Sequence, residues 1–134
     1  MKKFLSCLLI VSLLVALCAC SGYVNSYQAI GLVRSQSLHR CEASFHSLEG
    51  RLVFQLKKPN SGATEGDISY SIQVDEGELR LYYDIYGTKE ELAHVKAGET
   101  VSARGGYVES GKTVHIIIEA TEKTKGKLSV ALDH

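Results

Sequence analysis

The side chains best suited to nucleophilic chemistry in this sequence are Cys41 and the two histidines that flank it, His39 and His46. A catalytic cysteine needs a histidine close in space and an electropositive setting that favours the thiolate. Closeness in sequence supplies neither, and a lone cysteine on a strand is most often a small buried hydrophobic residue. A small envelope hydrolase built from Cys41, His46 and acidic neighbours is therefore an alternative hypothesis, and no catalytic residue is predicted.

The histidines do not form a recognisable metal site. His39, His46, His94 and His115 are scattered, without the closely spaced ligand pairs that zinc sites usually show. The strand pattern directs both His46 and His115 away from the core, and whether they are close in space is left open. The sequence also lacks a nucleophile elbow, a Walker loop and a dinucleotide fingerprint. We therefore expect no metal, no cofactor and no enzymatic activity.

The beginning of the chain has the pattern of an export signal. A basic start, Met1-Lys2-Lys3, precedes an apolar run from Phe4 to Leu17. This run is shorter than the roughly 20 apolar residues of a membrane-spanning helix and fits the core of a secretory signal peptide. It ends in Leu17-Cys18-Ala19-Cys20, which resembles the lipobox of bacterial lipoproteins, with Cys18 replacing a more usual Ser, Ala or Thr.

The lipobox resemblance implies an anchor and a compartment. It implies a signal helix over residues 1–19 that is removed, and a lipid on Cys20. Several acyl chains hold a protein stably at a bilayer. We therefore expect a membrane-anchored protein on the extracytoplasmic face. Ser21, in place of Asp, is compatible with an outer-membrane location where the host has one. Cys7 and Cys18 leave with the signal, so Cys41 remains without a disulfide partner.

Composition limits the remaining possibilities. The chain of 134 residues has 15 basic and 15 acidic side chains, so no basic surface favours nucleic-acid binding. Residues 20–39 show no clear period and are interpreted as the lipidated cysteine and a tether. They hold enough apolar side chains for part of the tether to pack on the domain. Residues 40–134 are interpreted as one domain.

From residue 40 onward, apolar and polar residues alternate with period two between glycine-rich breaks, as in half-buried antiparallel strands. Many short strands without a helical pattern indicate a sandwich or a barrel. We predict an all-β antiparallel sandwich, jelly-roll or immunoglobulin-like, of about seven or eight strands. The predicted strands cover residues 41–48, 51–57, 67–75, 78–86, 90–96, 99–104, 112–120 and 127–133.

One hairpin is predicted by the alternation itself. A two-residue turn at Glu76-Gly77, or a four-residue loop over 75–78, would place the apolar residues of 68–74 opposite those of 79–85, so that every core residue meets another. A slip of one residue would destroy this match. In the predicted strand 112–120, Ile117 breaks the alternation, so that strand is expected to be central or covered on both faces.

The segment YVESGKTVHIIIEATEKTKGKLSVAL, residues 107–132, resembles the last strands of bacterial pre-peptidase C-terminal β-sandwich domains. It differs from that family in having His-Ile-Ile-Ile in place of a tyrosine-rich penultimate strand. The resemblance implies a sandwich with an accessory or binding role.

A binding surface is predicted on the outer face of the hairpin. Ser69, Ser71 and Gln73 would lie there beside Arg80, Tyr82 and Tyr86, and tyrosine and arginine are favoured at recognition surfaces. We take Arg80, Tyr82 and Tyr86 as the candidate contact residues. The expected function is a lipid-anchored binding or accessory module. Its partner would be a cell-wall polymer, an envelope protein or a small solute. A closed barrel that carries an apolar ligand is a further alternative.

Overall fold

The computed structural model describes residues 23–59 and 65–132, and this part of the chain consists of antiparallel β-strands. The strands are β1 (Ser26–Ile30), β2 (Val33–Gln36), β3 (Arg40–Lys57), β4 (Glu65–Glu76), β5 (Glu78–Asp84), β6 (Glu90–Lys96), β7 (Thr100–Tyr107) and β8 (Thr113–Leu132). The predicted all-β fold with seven or eight strands is confirmed. The predicted signal helix and Cys20 lie outside the described residues. Within those residues, the structure contains no apolar helix of membrane-spanning length.

Two long strands, β3 and β8, organise the molecule. The first half of β3 pairs with the second half of β8, and the second half of β3 pairs with the first half of β8. The front sheet has the order β2–β3–β8–β4–β7, and the back sheet has the order β3–β8–β5–β6, with β1 beside the bend of β3. Because β3 and β8 belong to both sheets, the hydrogen-bonded network is continuous around the sandwich.

Two of the predicted breaks between strands are bends within long strands and do not end them. The predicted strands 41–48 and 51–57 are one strand, β3, and its register shifts between Phe45 and Gly50. The predicted strands 112–120 and 127–133 are likewise one strand, β8. Gly50 and Leu48 lie opposite Ala120 and Thr124, so the two strands bend side by side. Glycine fits such corners because it tolerates positive φ and close backbone contacts.

The predicted β4–β5 hairpin is wrong. β4 pairs with β7 and β8, whereas β5 pairs with β6 and β8. The chain therefore continues through Gly77 along the same neighbour, β8, and passes from the front sheet into the back sheet. Gly77 has a φ of 84°. The buried Thr124 hydroxyl stabilises the corner. It accepts from the Glu78 N–H at 3.3 Å, and its single hydrogen can be donated to the Glu78 carbonyl at 3.0 Å or to the Glu122 carbonyl at 2.9 Å.

The core lies between the two sheets and is filled with side chains. Ile68, Ile72 and Val74 of β4 and Leu79 and Leu81 of β5 are buried, as the alternation predicted. They share one cluster with residues of β3 and β8. β8 is central in both sheets, and Ile117 is fully buried although it points away from the core. The expectation that Ile117 marks a central strand is confirmed.

Residues 26–36 of the segment interpreted as a tether form β1 and β2, which pair with β3. Side chains of the predicted tether, residues 20–39, also form hydrogen bonds with backbone groups along the outer edge of β3, where no strand of the described residues pairs with it. Arg34 donates to the Val53 carbonyl at 3.3 Å, Gln36 donates to the Gln55 carbonyl at 2.5 Å, and Asn25 accepts from the Val53 N–H at 2.8 Å. An edge blocked in this way is protected from pairing with other chains.

Candidate functional site

The outward side of the front sheet carries a regular array of hydroxyl groups. In one row across five strands, Ser35, Glu42, Ser129, Ser71 and Ser102 lie opposite one another. Adjacent strands in a sheet are about 4.8 Å apart, so this row spans about 19 Å. Four of its five side chains are serines, and such short side chains leave space above the sheet.

A parallel row lies on each side of the first. One contains Val33, Ser44, Lys127, Gln73 and Thr100, and the other contains Arg40, Ala131, Ser69 and Arg104. We call these three rows together the serine face. Its polar residues point outward because their neighbours in sequence, such as Ala43, Ile72 and Leu128, point into the core.

Three adjoining depressions form a groove along the serine face. The central depression has a volume of about 340 Å³ and is lined by Ser44, Ser71 and Ser129, among others. A depression of about 410 Å³ shares Ser71 and Ser129 with it and extends to Arg40 and Arg104. A third, of about 270 Å³, shares Ser44 and Lys127 and extends towards the bend. The groove therefore runs roughly parallel to the strands.

Several hydroxyls in this groove are available to a ligand. Ser102 donates to Ser71 at 3.0 Å. The side chains of Ser35, Ser44 and Ser129 have no hydrogen-bond partner within residues 23–59 and 65–132. A hydroxyl both donates and accepts, so an array of free hydroxyls suits a ligand that is itself rich in polar groups.

The predicted contact residues Arg80, Tyr82 and Tyr86 lie elsewhere, and the structure separates them from Ser69, Ser71 and Gln73. Arg80 and Tyr82 lie on β5 in the back sheet, whereas Ser69, Ser71 and Gln73 belong to the serine face. Arg80 pairs with Glu91 at 3.1 Å, and the Tyr82 ring lies 4.2 Å from the Lys89 ammonium. Their role in binding stays a prediction.

Tyr86 follows the end of β5 and is 68% exposed. Burial and a hydrogen bond to Glu109 raise the pKa of its phenol. Because β5 ends at Asp84, Tyr86 lies in a loop and does not belong to the face of the back sheet that carries Arg80 and Tyr82.

The back sheet is partly covered by Tyr23. Its hydroxyl donates to the buried Asp84 carboxylate, and its ring lies 5.7 Å from the His115 ring and 5.6 Å from the Arg51 guanidinium. The hydrogen bond to Asp84, with burial, raises the pKa of the Tyr23 phenol. Burial would raise the pKa of Glu119, but hydrogen bonds from Lys89 and Arg51 outweigh it and hold that pKa below its ordinary value.

The structure does not bring Cys41 and His46 together as a catalytic pair. Cys41 points into the core and is 1% exposed, whereas His46 is exposed on the other side of β3. Burial raises the pKa of the Cys41 thiol to about 12, so the thiolate is scarce near neutral pH. This environment is the opposite of the electropositive, accessible one that activates a cysteine.

The other histidines do not assemble into a site either. His115 neighbours Gln55, with its Nε2 3.2 Å from the amide nitrogen of Gln55, whereas His46 lies beside Gly31 near the bend of β3. Residues 23–59 and 65–132 contain no group of three or more His, Cys, Asp or Glu side chains arranged to hold a metal ion.

Sequence reasoning identified Ser69, Ser71 and Gln73 as outward polar residues but missed their true neighbours. Ser35, Ser44, Ser102 and Ser129 come from four other strands, and only the strand order brings them together. The available signal was that serines repeatedly occupy outward positions in alternating strands. That signal shows the side of the sheet but gives no information about which strands are adjacent.

No protein-family model matches the sequence, and no curated protein sequence matches it. Solved structures with a similar fold include a cupin-2 domain-containing protein from Shewanella frigidimarina NCIMB 400. It has 12% identity over 90% of this chain and 92% of that chain, with a TM-score of 0.35. A cupin superfamily protein from Desulfitobacterium hafniense DCB-2 has 14% identity over 85% of this chain and 84% of that chain, with a TM-score of 0.35. A family 29 carbohydrate-binding module has 16% identity over 84% of this chain and 80% of that chain, with a TM-score of 0.42. At these identities the likeness concerns the fold alone.

Proposed function

We propose that this protein is a non-enzymatic binding module that holds a hydroxyl-rich polymer, a cell-wall polysaccharide, in the groove of the serine face. The observation that carries the proposal is the row of Ser35, Glu42, Ser129, Ser71 and Ser102 across five paired strands. These groups project from a hydrogen-bonded sheet, so little conformational entropy is lost when they bind.

The hydroxyls of the groove suit a sugar chain. Sugar hydroxyls donate and accept hydrogen bonds, as serine hydroxyls do. The apolar interior of the sandwich is filled with side chains, so the groove is the accessible concave surface that this proposal uses. Binding here would rest on many modest hydrogen bonds, each worth about 1 kcal/mol.

The location of this activity is part of the proposal. The lipobox resemblance at Leu17-Cys18-Ala19-Cys20 supports lipidation of Cys20 and attachment to the outer side of the cytoplasmic membrane. Tyr23, three residues later, packs against the back sheet, which is the side opposite the serine face. An anchor attached there leaves the groove open to the surrounding polymer.

Binding is tested by co-sedimentation of the purified protein with insoluble cell-wall polysaccharide and by calorimetry with soluble fragments. Ser71→Val with Ser129→Val removes two hydroxyls while keeping good strand formers. We expect about a tenfold or greater loss of affinity, because two hydrogen bonds of about 1 kcal/mol each are lost. The matched comparison replaces Arg80, Tyr82 and Tyr86 with Ser. Retained binding in this variant supports the serine face, and abolished binding would favour the back sheet.

Anchoring is tested by the intact mass of the membrane-extracted protein beside a Cys20→Ala variant. A mature chain that begins at Cys20 and carries a lipid-sized mass increment, absent from the variant, is the expected result. An unmodified chain would refute the anchor and leave the binding proposal to its own test.

A further inference from the structure

The outward faces of the back sheet and of the front sheet differ in how many of their basic side chains form ion pairs. On the back sheet, Arg51 and Lys89 both pair with Glu119, at 2.8 and 3.0 Å, and Arg80 pairs with Glu91 at 3.1 Å. On the serine face, Arg40 pairs with Glu42 at 2.6 Å. Lys125 and Lys127, which line the groove, have no ion-pair partner within the described residues.

These two lysines occupy a central position. Both lie on β8, the middle strand of the front sheet, between β3 and β4. Two residues along a strand are about 6.7 Å apart, so their attachment points follow the direction of the groove. Arg40 and Arg104 line the far end of the same groove. Cationic side chains therefore line both ends of the groove, and Lys125 and Lys127 are the pair without a salt bridge in the described residues.

The groove contains fewer carboxylates than cations. Glu42 is paired with Arg40, and Asp75, which lines the same depression as Lys125 and Lys127, accepts from the Gln73 amide at 3.1 Å and keeps its charge. A neutral ligand that covered Lys125 and Lys127 would remove water from two ammonium groups without replacing it by an opposite charge, which is unfavourable. A ligand with anionic groups would supply that charge.

We propose that the ligand of the serine face is an anionic polysaccharide, in which carboxylate or phosphate groups pair with Lys125 and Lys127 while sugar hydroxyls contact the serines. This inference rests on the proposed function and specifies its ligand class. The same pairing predicts salt dependence, because added salt screens interactions between exposed charges.

The test measures binding of the purified full chain to bacterial cell walls that retain their anionic polymers, at low and high salt. Two treated preparations identify the source of the charge: walls treated with hydrofluoric acid lack phosphodiester-linked polymers, and walls with amidated carboxyls lack free carboxylates. The variant is Lys125→Gln with Lys127→Gln. The matched control is Lys57→Gln with Lys96→Gln, which removes the same charge from exposed positions outside the serine face.

We expect about a tenfold loss of affinity in the Lys125/Lys127 variant, little change in the control, and weaker binding in high salt. Loss of binding to one treated preparation identifies phosphate or carboxylate as the partner. Equal binding by both variants, with no effect of salt, would overturn the anionic ligand while leaving the polysaccharide proposal intact. Absence of binding to every preparation, and to soluble polysaccharide fragments, would overturn the proposed function itself.

Discussion

The Cys41 side chain points from β3 into the core, where it is surrounded by apolar groups and is almost completely shielded from water. Burial is the main cause that raises the pKa of its thiol to about 12, well above the ordinary value of about 8.5. The folded state therefore holds the thiol proton more tightly than the unfolded state does. The corresponding contribution to stability is fully present below about pH 8.5 and is lost as the pH rises towards 12.

We predict that the free energy of unfolding falls more steeply between pH 8 and about pH 10.5 in the wild type than in Cys41→Ala. Urea unfolding at both pH values measures the difference, and groups that titrate in both proteins cancel in the comparison. Cys41→Ala is less stable overall because it leaves a small cavity. Parallel pH dependences would show that Cys41 does not titrate on unfolding.

The second single-residue feature is a buried ion pair between Lys58 and Asp67. The Lys58 ammonium lies 2.9 Å from Asp67, and the other oxygen of that carboxylate accepts from the Val108 N–H at 2.9 Å. Both side chains are almost completely buried. Removing the ammonium takes the opposite charge at 2.9 Å away from the buried Asp67 carboxylate, and breaking a buried pair in this way typically costs about 3–5 kcal/mol.

Lys58→Met is therefore expected to lower the free energy of unfolding by about 3–5 kcal/mol, as measured in urea. Lys58→Met with Asp67→Asn is expected to be more stable than Lys58→Met alone. The asparagine carries no charge, and its carbonyl can still accept from Val108. A double variant that is less stable than the single variant would contradict the loss of the opposite charge as the cause.

At the scale of elements, the corner at Gly77 decides the topology. A Cβ at Gly77 would lie 2.6 Å from the Lys123 carbonyl oxygen and 2.8 Å from the Thr124 Cα. Gly98 has the same φ of 84°, yet a Cβ there would meet nothing within 4 Å. The two glycines share a backbone conformation and differ in how closely a neighbouring strand approaches.

Gly98→Ala is expected to cost about 1 kcal/mol, the penalty of a positive φ, and Gly77→Ala is expected to cost at least about 2 kcal/mol more because β8 must move. Thermal and urea unfolding of the two variants measure the difference. Equal costs would indicate that β8 does not approach Gly77 closely, as would be the case in a simple hairpin.

The same corner shows which parts of the fold the sequence could predict. The buried face of β4 and β5 was predicted correctly, because period-two alternation assigns a side without reference to any partner. The partners were not predicted correctly, because a glycine with positive φ fits a hairpin turn and a corner equally well. Ser71 shows the consequence for the site: its outward direction was predictable, but its neighbours Ser102 and Ser129 depend on strand order.

At the scale of the whole molecule, the strands shared by both sheets should make unfolding a single event. The front-sheet residue Ile72 and the back-sheet residue Ile116 are both buried in one continuous core. β3 and β8 pass through both halves, so neither sheet can separate while the other stays paired. Cooperative all-or-none unfolding is also usual for single domains of this size.

Ile72→Ala and Ile116→Ala are each expected to cost about 2–5 kcal/mol. In both variants, circular dichroism and tyrosine fluorescence should report one coincident transition. The tyrosines serve as probes because Tyr70 lies in the front sheet and Tyr83 in the back sheet. Separate transitions in either variant would show that one sheet unfolds independently of the other.

The position of β8 has a consequence for the time at which this protein folds. β8 follows all the other described strands in chain order, yet it is the central strand that joins β3, β4 and β5. A nascent chain that ends before Thr113 therefore lacks the middle of both sheets and cannot close its core. Such a chain cannot complete its fold while the ribosome is still synthesising it. The strand order therefore delays folding until synthesis is nearly finished.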